Sequence, residues 1–393
     1  MKKLFVAALV LALTLSVDVF ACTSAIITGK ATPNGRPLLW KHRDTGELNN
    51  KVKYYKGEKY SFYALINSPD ALKNEAWTGT NEVGFSIMNT ASYNLKNDDV
   101  PSSQMDREGE VMFKALATCR TLKDFEKLLD KYKRPMGVEA NFGVIDAEGG
   151  AAYYEVNNDS WTKIDVNDPK IAPQGYLVYT NHSNTGRLDD GMGYVRYTTA
   201  DKIVKEHIGR NGDITAKWIM QNLSRTFYHS VLGIDLNKDK ELVEKCNGWF
   251  MDQDFIPRKS SSCSIVVEGV KKGENPANTV MWTILGYPPI GIAVPLMVAN
   301  GEDIPAFMTA DGTENAPMCD WVLENKKEIF PIKRGNGNKY LNYYAIEKYM
   351  VPAVKFETMV FEMATPIIEK IRESKASAAD LKSVYTIVEK AIK

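Results

Sequence analysis

CTSAIITGKATPNGRPLLWKHRDT, residues 22–45, decides the fold of this chain of 393 residues. Its first segment, Cys22–Thr28, is rich in apolar and β-branched side chains and predicts a strand. Turn-forming residues, with Pro and Asn-Gly, occupy 31–36, and an apolar run follows in Pro37–Trp40. This order predicts a β-hairpin. Because the second strand continues into Lys41–Asp44, the hairpin brings a polar cluster back beside the start of the first strand.

The residues before this stretch have the features of a secretory signal peptide. Lys2–Lys3 is a short basic start, Leu4–Val17 is apolar, and Val19–Ala21 ends in the small residue that signal peptidase favours. The apolar run is shorter than the ~20 residues that a membrane-spanning helix needs. We therefore expect residues 1–21 to be removed during export, periplasmic or secreted, which leaves Cys22 at the new N-terminus.

The position of Cys22 is compatible with three roles. It is a structural or disulfide cysteine, a lipidated cysteine that anchors the protein at the cell surface, or an N-terminal nucleophile. A nucleophile at this position needs no histidine, because an α-amine with a pKa of ~7.7–8.0 accepts the thiol proton near neutral pH. Lipidation fits less well, because bulky Phe20 stands where a small residue is usual. Lipid on Cys22 would also block both the amine and the sulfur.

Charge and composition exclude several classes of function. The chain has 49 basic and 49 acidic residues, which gives no electrostatic reason to bind nucleic acid or an anionic membrane. Its histidines do not have metal-ligand spacing, so we expect no metal and no organic cofactor. The four cysteines other than Cys22 permit three disulfide connectivities, of which the sequence favours none; they are Cys119, Cys246, Cys263 and Cys319.

Further patterns predict a mixed α and β domain followed by a helical C-terminal part. Strand pairs are expected in 77–89, in 141–156 and, around a Gly-Tyr-Pro-Pro turn, in 279–298. Apolar residues with helical spacing predict helices in 108–132, 198–207, 214–223, 356–374 and 378–392. Ser377 and Asp380 have the spacing of a capping box at the start of the last of these.

The opening motif resembles that of the cysteine N-terminal-nucleophile hydrolases that act on linear amides. This superfamily includes choloylglycine (bile salt) hydrolases, penicillin V acylases, acid ceramidases, isopenicillin acyltransferases and a set of dipeptidases. The Cys-Thr start, the Gly-Lys-Ala-Thr-x-x-Gly hairpin and the basic-x-x-Asp cluster are most similar to the dipeptidase branch. Later segments resemble family motifs more weakly, namely TGTNEVGFSIMN (78–89), YTNHS (179–183) and GYVRYTTADKIV (193–204). Together the similarity covers about 22–289.

The resemblance implies a role for each matching residue. Cys22 would be the nucleophile, and its α-amine would be the base. Asp44 would hold that amine by a hydrogen bond. Asn181, with a backbone N–H or the Asn89 side chain, would donate to the oxyanion that forms during attack. Arg196 would help to organise the site.

One position departs from the family pattern. The family has an arginine three residues before the aspartate, and this position is Lys41 here. Arg43 is an alternative source of the positive charge that favours a thiolate. Lys41 and Arg43 share one face of a strand, so the sequence leaves open which of them reaches the thiol. Lysine cannot reproduce the planar fork of an arginine.

These observations predict an α+β fold, the four-layer αββα sandwich that the resemblance implies. Residues 22–300 would form it, and 301–393 would be a mostly helical extension packed on the same domain. The expected activity is hydrolysis of a linear C–N amide of a small molecule through a thioester on Cys22. Two alternatives are an acyltransferase that uses the same acyl-enzyme and a non-catalytic surface lipoprotein. The sequence leaves the substrate and a homo-oligomeric state open.

Overall fold

The opening hairpin forms where the turn chemistry places it. The computed structural model describes residues 21–95, 100–210, 212–335 and 338–392. Strand β1 (Thr23–Ile27) pairs antiparallel with β2 (Leu38–Asp44). Gly35 turns the chain between them at a φ of 72°, a left-handed conformation that favours glycine. The predicted signal peptide lies outside the described residues except for Ala21 and stays a prediction.

Two antiparallel sheets form the centre of the molecule. The other strands are β3 (Asn50–Tyr55), β4 (Phe62–Asn67), β5 (Thr78–Asn81), β6 (Ser86–Ala91), β7 (Ala140–Ile145), β8 (Ala151–Val156), β9 (Trp161–Asp165), β10 (Tyr176–Tyr179), β11 (Tyr228–His229), β12 (Ile234–Asp235), β13 (Trp249–Phe250), β14 (Ser261–Glu268), β15 (Val280–Leu285), β16 (Val294–Leu296) and β17 (Leu341–Asn342). One sheet has six strands in the order β10-β1-β2-β14-β15-β16, and the other has seven in the order β3 to β9. The four shortest strands pair as β11-β12 and β13-β17. The hairpin that begins after Cys22 is therefore central in the six-stranded sheet.

Helices cover the outer face of each sheet. They are α1 (Glu108–Thr118), α2 (Leu122–Lys131), α3 (Tyr194–Gly209), α4 (Ala216–Asn222), α5 (Lys240–Lys245), α6 (Pro317–Ile329), α7 (Tyr343–Arg372) and α8 (Lys382–Ala391). Helix α1 packs on the seven-stranded sheet, whereas α3, α4, α6 and α7 pack on the six-stranded sheet. The two sheets contact each other through β1 and β2 on one side and β6 and β7 on the other. This is the predicted αββα order of layers, which is confirmed.

Both faces of the six-stranded sheet are covered, so its strands do not alternate between buried and exposed residues. Strands β1 and β2 are buried at every residue, although β2 contains the charged sequence Lys41–Asp44. Helices cover one face of this sheet and the second sheet covers the other, so neither face meets solvent. Charged side chains in such a strand must find partners inside the protein.

The helices predicted in 198–207, 214–223 and 378–392 differ from the structure by one to four residues at an end, and two other predictions differ more. The single helix expected in 108–132 is two helices, because the chain is extended at Cys119 and Thr121 caps α2 through a capping box with Asp124. Helix α7 begins at Tyr343 rather than at 356 and runs through Pro352. Tertiary packing of its buried face outweighs the local cost of the proline.

The cysteines are all within the described residues and are all free thiols. Cys119 lies in the core between α1, α2 and the seven-stranded sheet. Cys263 and Cys319 lie in the larger core, which also contains the buried residues of α6 and α7. Burial raises the pKa of Cys119 and of Cys263 to about 12, which makes both thiols poor nucleophiles at neutral pH. In the described part of the chain, no helix is long and apolar enough to cross a membrane.

Candidate active site

Cys22 lies immediately before β1 and is almost fully buried, with a relative exposure of 7%. Its main-chain nitrogen donates a hydrogen bond to Asn181 Oδ1 at 2.9 Å. Because Ala21 is attached in the structure, this nitrogen is a peptide amide. Ala21 is also buried. The hairpin and the end of β10 thus bring the predicted nucleophile and one predicted partner into direct contact across a large sequence separation.

Arg196, from the first turn of α3, clamps the same segment. Its Nη1 donates to the Cys22 carbonyl oxygen at 2.5 Å and to Thr23 Oγ1 at 3.0 Å, and its Nη2 donates to Asn181 Oδ1 at 2.7 Å. Gly193 allows this approach, because a Cβ at that position would lie 2.4 Å from Arg196 Nη2. Burial, followed by the charge of nearby Arg258, lowers the pKa of Arg196 to about 9.

The side chain of Asn181 uses both its oxygen and its nitrogen in this arrangement. Its Oδ1 accepts from Cys22 and Arg196, and its Nδ2 donates to the Ala91 carbonyl oxygen at 2.9 Å. Asn181 therefore orients the Cys22 nitrogen, and the bond to Ala91 uses only one of the two N–H groups of Nδ2. The oxyanion role stays a prediction.

Lys41 and Arg43 both lie on the face of β2 that meets the second sheet. The β1–β2 register pairs Thr23 with His42 and Ser24 with Lys41, so Cys22 continues the register opposite Arg43. Arg43 is thus directly across the ladder from the thiol, and Lys41 is diagonal to it. Both predicted cations therefore lie beside Cys22, so either Lys41 or Arg43 can supply the positive charge near the thiol.

The head groups of these two cations have distinct partners. Lys41 Nζ donates to the Trp77 carbonyl oxygen at 2.6 Å and to Asn89 Oδ1 at 2.7 Å. Burial lowers the pKa of Lys41 to about 8, and the nearby Cys22 sulfur opposes this shift. Arg43 Nη2 donates to Asn67 Oδ1 at 2.9 Å, and its guanidinium carbon lies 4.9 Å from the centre of the Trp77 ring. Asn89 therefore reaches the site through Lys41.

Asp44 lies on the opposite face of β2, and its carboxylate is fully buried. It forms an ion pair with Arg258 Nη2 and accepts a hydrogen bond from Ser261 Oγ at 2.5 Å. The same Arg258 Nη2 lies 3.4 Å from the carbonyl oxygen of Ala21. One guanidinium therefore connects the carboxylate to the Ala21–Cys22 peptide, but Asp44 does not hold the Cys22 nitrogen while Ala21 is attached. The predicted bond between Asp44 and a free amine remains a prediction for the mature chain.

Arg258 and Ser261 are site residues that the sequence alone did not indicate. Ser261 begins β14, where the pairing with β2 shifts register between Ser261 and Cys263, and Arg258 lies three residues before this strand. Such a bulge redirects side chains locally. The sequence Arg-Lys-Ser-Ser-Ser has no spacing that identifies a partner for Asp44, so only the sheet order reveals the contact.

A cavity of about 740 Å³ opens onto Ala21, and its walls carry both Arg196 and Arg258. A larger groove of about 1160 Å³ lies on the outer side of the seven-stranded sheet and contains none of the predicted site residues. Among the described residues, no three acidic, histidine or cysteine side chains are grouped as metal ligands. The smaller cavity therefore adjoins the Ala21–Cys22 junction, and Arg196 is the one predicted site residue in its wall.

Comparisons with known proteins give structural likenesses only. No family model matches the chain, and no curated protein matches it. An N-acylethanolamine-hydrolyzing acid amidase ortholog from Caenorhabditis elegans aligns with 63% of this chain and 92% of its own, at 16% identity and a TM-score of 0.37. A conjugated bile acid hydrolase variant from Clostridium perfringens aligns with 70% of this chain and 92% of its own, at 11% identity and a TM-score of 0.39.

Penicillin V acylase from Agrobacterium tumefaciens is a third similar structure. It aligns with 70% of this chain and 86% of its own, at 10% identity and a TM-score of 0.34. The three proteins are thus named as an acid amidase, a bile acid hydrolase and a penicillin acylase. At these identities and TM-scores the likeness assigns no role to any residue of this chain.

Proposed function

We propose that this chain is an exported cysteine amidohydrolase that cleaves a linear C–N amide through a thioester on Cys22. The observation that carries the proposal is the pair of side-chain hydrogen bonds to the Cys22 main chain. Its nitrogen is held by Asn181 and its carbonyl oxygen by Arg196, in a buried site beside two cations. Both partners are side chains, so an α-amine formed at this position would find the Asn181 acceptor already in place.

Removal of residues 1–21 would convert the Cys22 amide into a primary amine. That amine takes the thiol proton, and the sulfur attacks the substrate carbonyl carbon, so that the carbonyl oxygen becomes an oxyanion. The C–N bond then breaks, and the ammonium returns its proton to the leaving nitrogen. Water, deprotonated by the same amine, hydrolyses the thioester to release the acid and the free thiol.

The burial of Cys22 favours this function over a surface lipoprotein. A lipidated cysteine must carry acyl groups on its nitrogen and its sulfur and place them in a bilayer. Here the nitrogen is bonded to Asn181, whose relative exposure is 0%, and Ala21 is only 3% exposed. Attaching lipid at this position would require the start of β1 to leave the sheet.

The proposed function is tested with the chain that begins at Cys22. The aligned proteins are named for N-acylethanolamines, conjugated bile acids and penicillin V, so these compounds, with N-acyl amino acids and dipeptides, form the substrate panel. We expect release of a free amine from one class and a mass increase of the protein equal to the acyl group. Transfer of the acyl group to an added amine in preference to water would identify an acyltransferase. Absence of both release and adduct formation across the panel would contradict the proposal.

The mature protein is expected to begin at Cys22 with a free amine. When the full chain is expressed with its own leader, N-terminal sequencing and intact mass of the exported protein should give residues 22–393 without modification. A lipid-sized mass increment or a start at another residue would remove the proposed base, and with it the proposed mechanism.

The decline of kcat/KM at alkaline pH is expected to depend on Lys41. Its pKa is lowered to about 8 by burial, so Lys41 loses its charge as the pH rises through about 8, and its support for the thiolate then fades. In the Lys41→Arg variant the cation persists at higher pH. We expect kcat/KM of the native chain to decline above pH ~8 and that of the variant to decline later. The same alkaline midpoint in both proteins would contradict this role.

A further inference from the structure

Helix α6, in the C-terminal part of the chain, places a buried lysine beside Asp44, His42, Arg258 and Ser261, which we call the Asp44 cluster. Lys326 Nζ donates to the carbonyl oxygen of Lys259 at 2.5 Å and to that of Ser261 at 3.1 Å. The residue is 5% exposed, and its Nζ lies 4.9 Å from the centre of the Tyr287 ring. Among the described residues, Lys326 forms no ion pair within 4 Å.

The two carbonyl groups that Lys326 binds flank the start of the bulge in β14. From this segment Ser261 Oγ donates to Asp44, accepts from the Arg258 main-chain N–H at 2.9 Å, and lies 3.0 Å from His42 Nε2. The main-chain path of the segment therefore sets both partners of the Asp44 carboxylate at once.

A buried lysine without an ion pair is costly for stability, because the charged group loses its hydration. Burial accordingly lowers the pKa of Lys326 to about 7. Both the charged and the neutral amine can donate to the two carbonyl oxygens, so the contact persists through this titration. The other ionisable groups near Lys326 are Asp44, His42, Asp252, Lys259 and Cys319. The geometry points to a role in holding the backbone rather than in neutralising charge.

We infer that Lys326 is a positioning residue of the active site. It fixes the main chain at Lys259 and Ser261, so that Ser261 and Arg258 hold the Asp44 carboxylate at the junction before Cys22. This inference rests on the proposed function, in which Asp44 orients the Cys22 amine. It also gives the C-terminal part of the chain a direct task at the catalytic centre.

Lys51 provides a matched control for a test. It is a second buried lysine, and its Nζ also donates to two carbonyl oxygens, those of Gly312 and Glu314, at 2.8 Å each. It lies in β3, at an edge of the seven-stranded sheet, and these two hydrogen bonds involve none of the site residues described above. Lys51→Met therefore reproduces the loss of a buried double donor without touching the Asp44 cluster.

The test compares Lys326→Met with Lys51→Met in the chain that begins at Cys22. Two properties are measured: kcat and KM on the best substrate, and the rate of Cys22 alkylation by iodoacetamide as a function of pH. We expect Lys326→Met to lower kcat by ~10²-fold with little change in KM, as misplacement of a catalytic group does. We also expect it to shift the pH midpoint of alkylation. Lys51→Met should lower the melting temperature yet leave both properties unchanged.

A folded Lys326→Met protein with native kcat and a native alkylation profile would overturn the inference. Equal effects of Lys326→Met and Lys51→Met on both properties would do the same, because they would indicate general destabilisation. If Lys326→Met does not fold, Ser261→Ala removes the hydroxyl that the lysine is inferred to position, and an unshifted alkylation midpoint there overturns the inference. Alkylation needs no substrate, so a native chain that hydrolyses nothing in the panel refutes the proposed function separately.

Discussion

Replacing Cys22 with alanine in the mature chain is expected to lower kcat for amide hydrolysis by ~10⁴–10⁶-fold. The substitution removes the only atom that can form the thioester in the proposed mechanism. The fold should survive, because a small buried side chain is replaced by another, and the bonds to Asn181 and Arg196 use the main chain. Steady-state hydrolysis and the mass of the trapped acyl-enzyme measure the loss.

Cys119→Ala is the matched control for this experiment. Cys119 is a buried free thiol in the other core, remote from the hairpin, and burial raises its pKa to about 12. We expect this variant to keep native kcat and to form the acyl adduct at Cys22. Substantial hydrolysis by Cys22→Ala, or loss of activity in Cys119→Ala alone, would show that the nucleophile lies elsewhere.

Asp44→Asn is expected to have the second-largest effect, on both activity and stability. The change keeps the shape of the side chain but removes the charge that faces Arg258, and breaking one side of a buried ion pair typically costs about 3–5 kcal/mol. In the mature chain it also removes the acceptor proposed for the Cys22 amine. We expect kcat to fall by ~10²–10⁴-fold, the contribution of a positioned base. Urea unfolding and kcat, measured on the same preparation, give the two effects.

Glu357→Gln separates the two effects of that substitution. Glu357 is fully buried in α7, pairs with Arg225 through two contacts of 2.8 Å and accepts from the Ala293 N–H, so its bonds involve none of the site residues. The free energy of unfolding should fall in the Glu357→Gln variant by about as much as in Asp44→Asn, while its folded fraction keeps native kcat. If Asp44→Asn lowers kcat no more than Glu357→Gln does, the proposed role of Asp44 is wrong.

The hairpin and its polar cluster were predictable because they depend on local chemistry. The apolar and β-branched runs, Asn-Gly in the turn and the sequence from Lys41 to Asp44 are all within one short stretch. Helix α2 shows the limit of such patterns. Apolar spacing continues across 108–132, but the cap at Thr121 divides the segment, and a periodicity match does not detect that break.

The partners of Asp44 were not predictable in this way. Arg258 and Ser261 are more than 200 residues from Asp44 along the chain, with separations of 214 and 217. Lys326 comes from a helix in the C-terminal part, to which no motif gave a role. Contacts of this kind follow from the order of strands in the sheet and from the helix above it, which the local sequence does not encode.

The sequence by itself predicted Cys22 as the nucleophile, because its position after a predicted leader would combine a thiol with an α-amine. It also determined that Lys41 and Arg43 share a face of β2, because side chains alternate along a strand. The tertiary structure alone decided that Asn181 and Arg196 hold the Cys22 main chain and that Asp44 pairs with Arg258. The reason is that sheet pairing, the bulge in β14 and the packing of α3 and α6 are non-local, and they place the partners that no single stretch of sequence specifies.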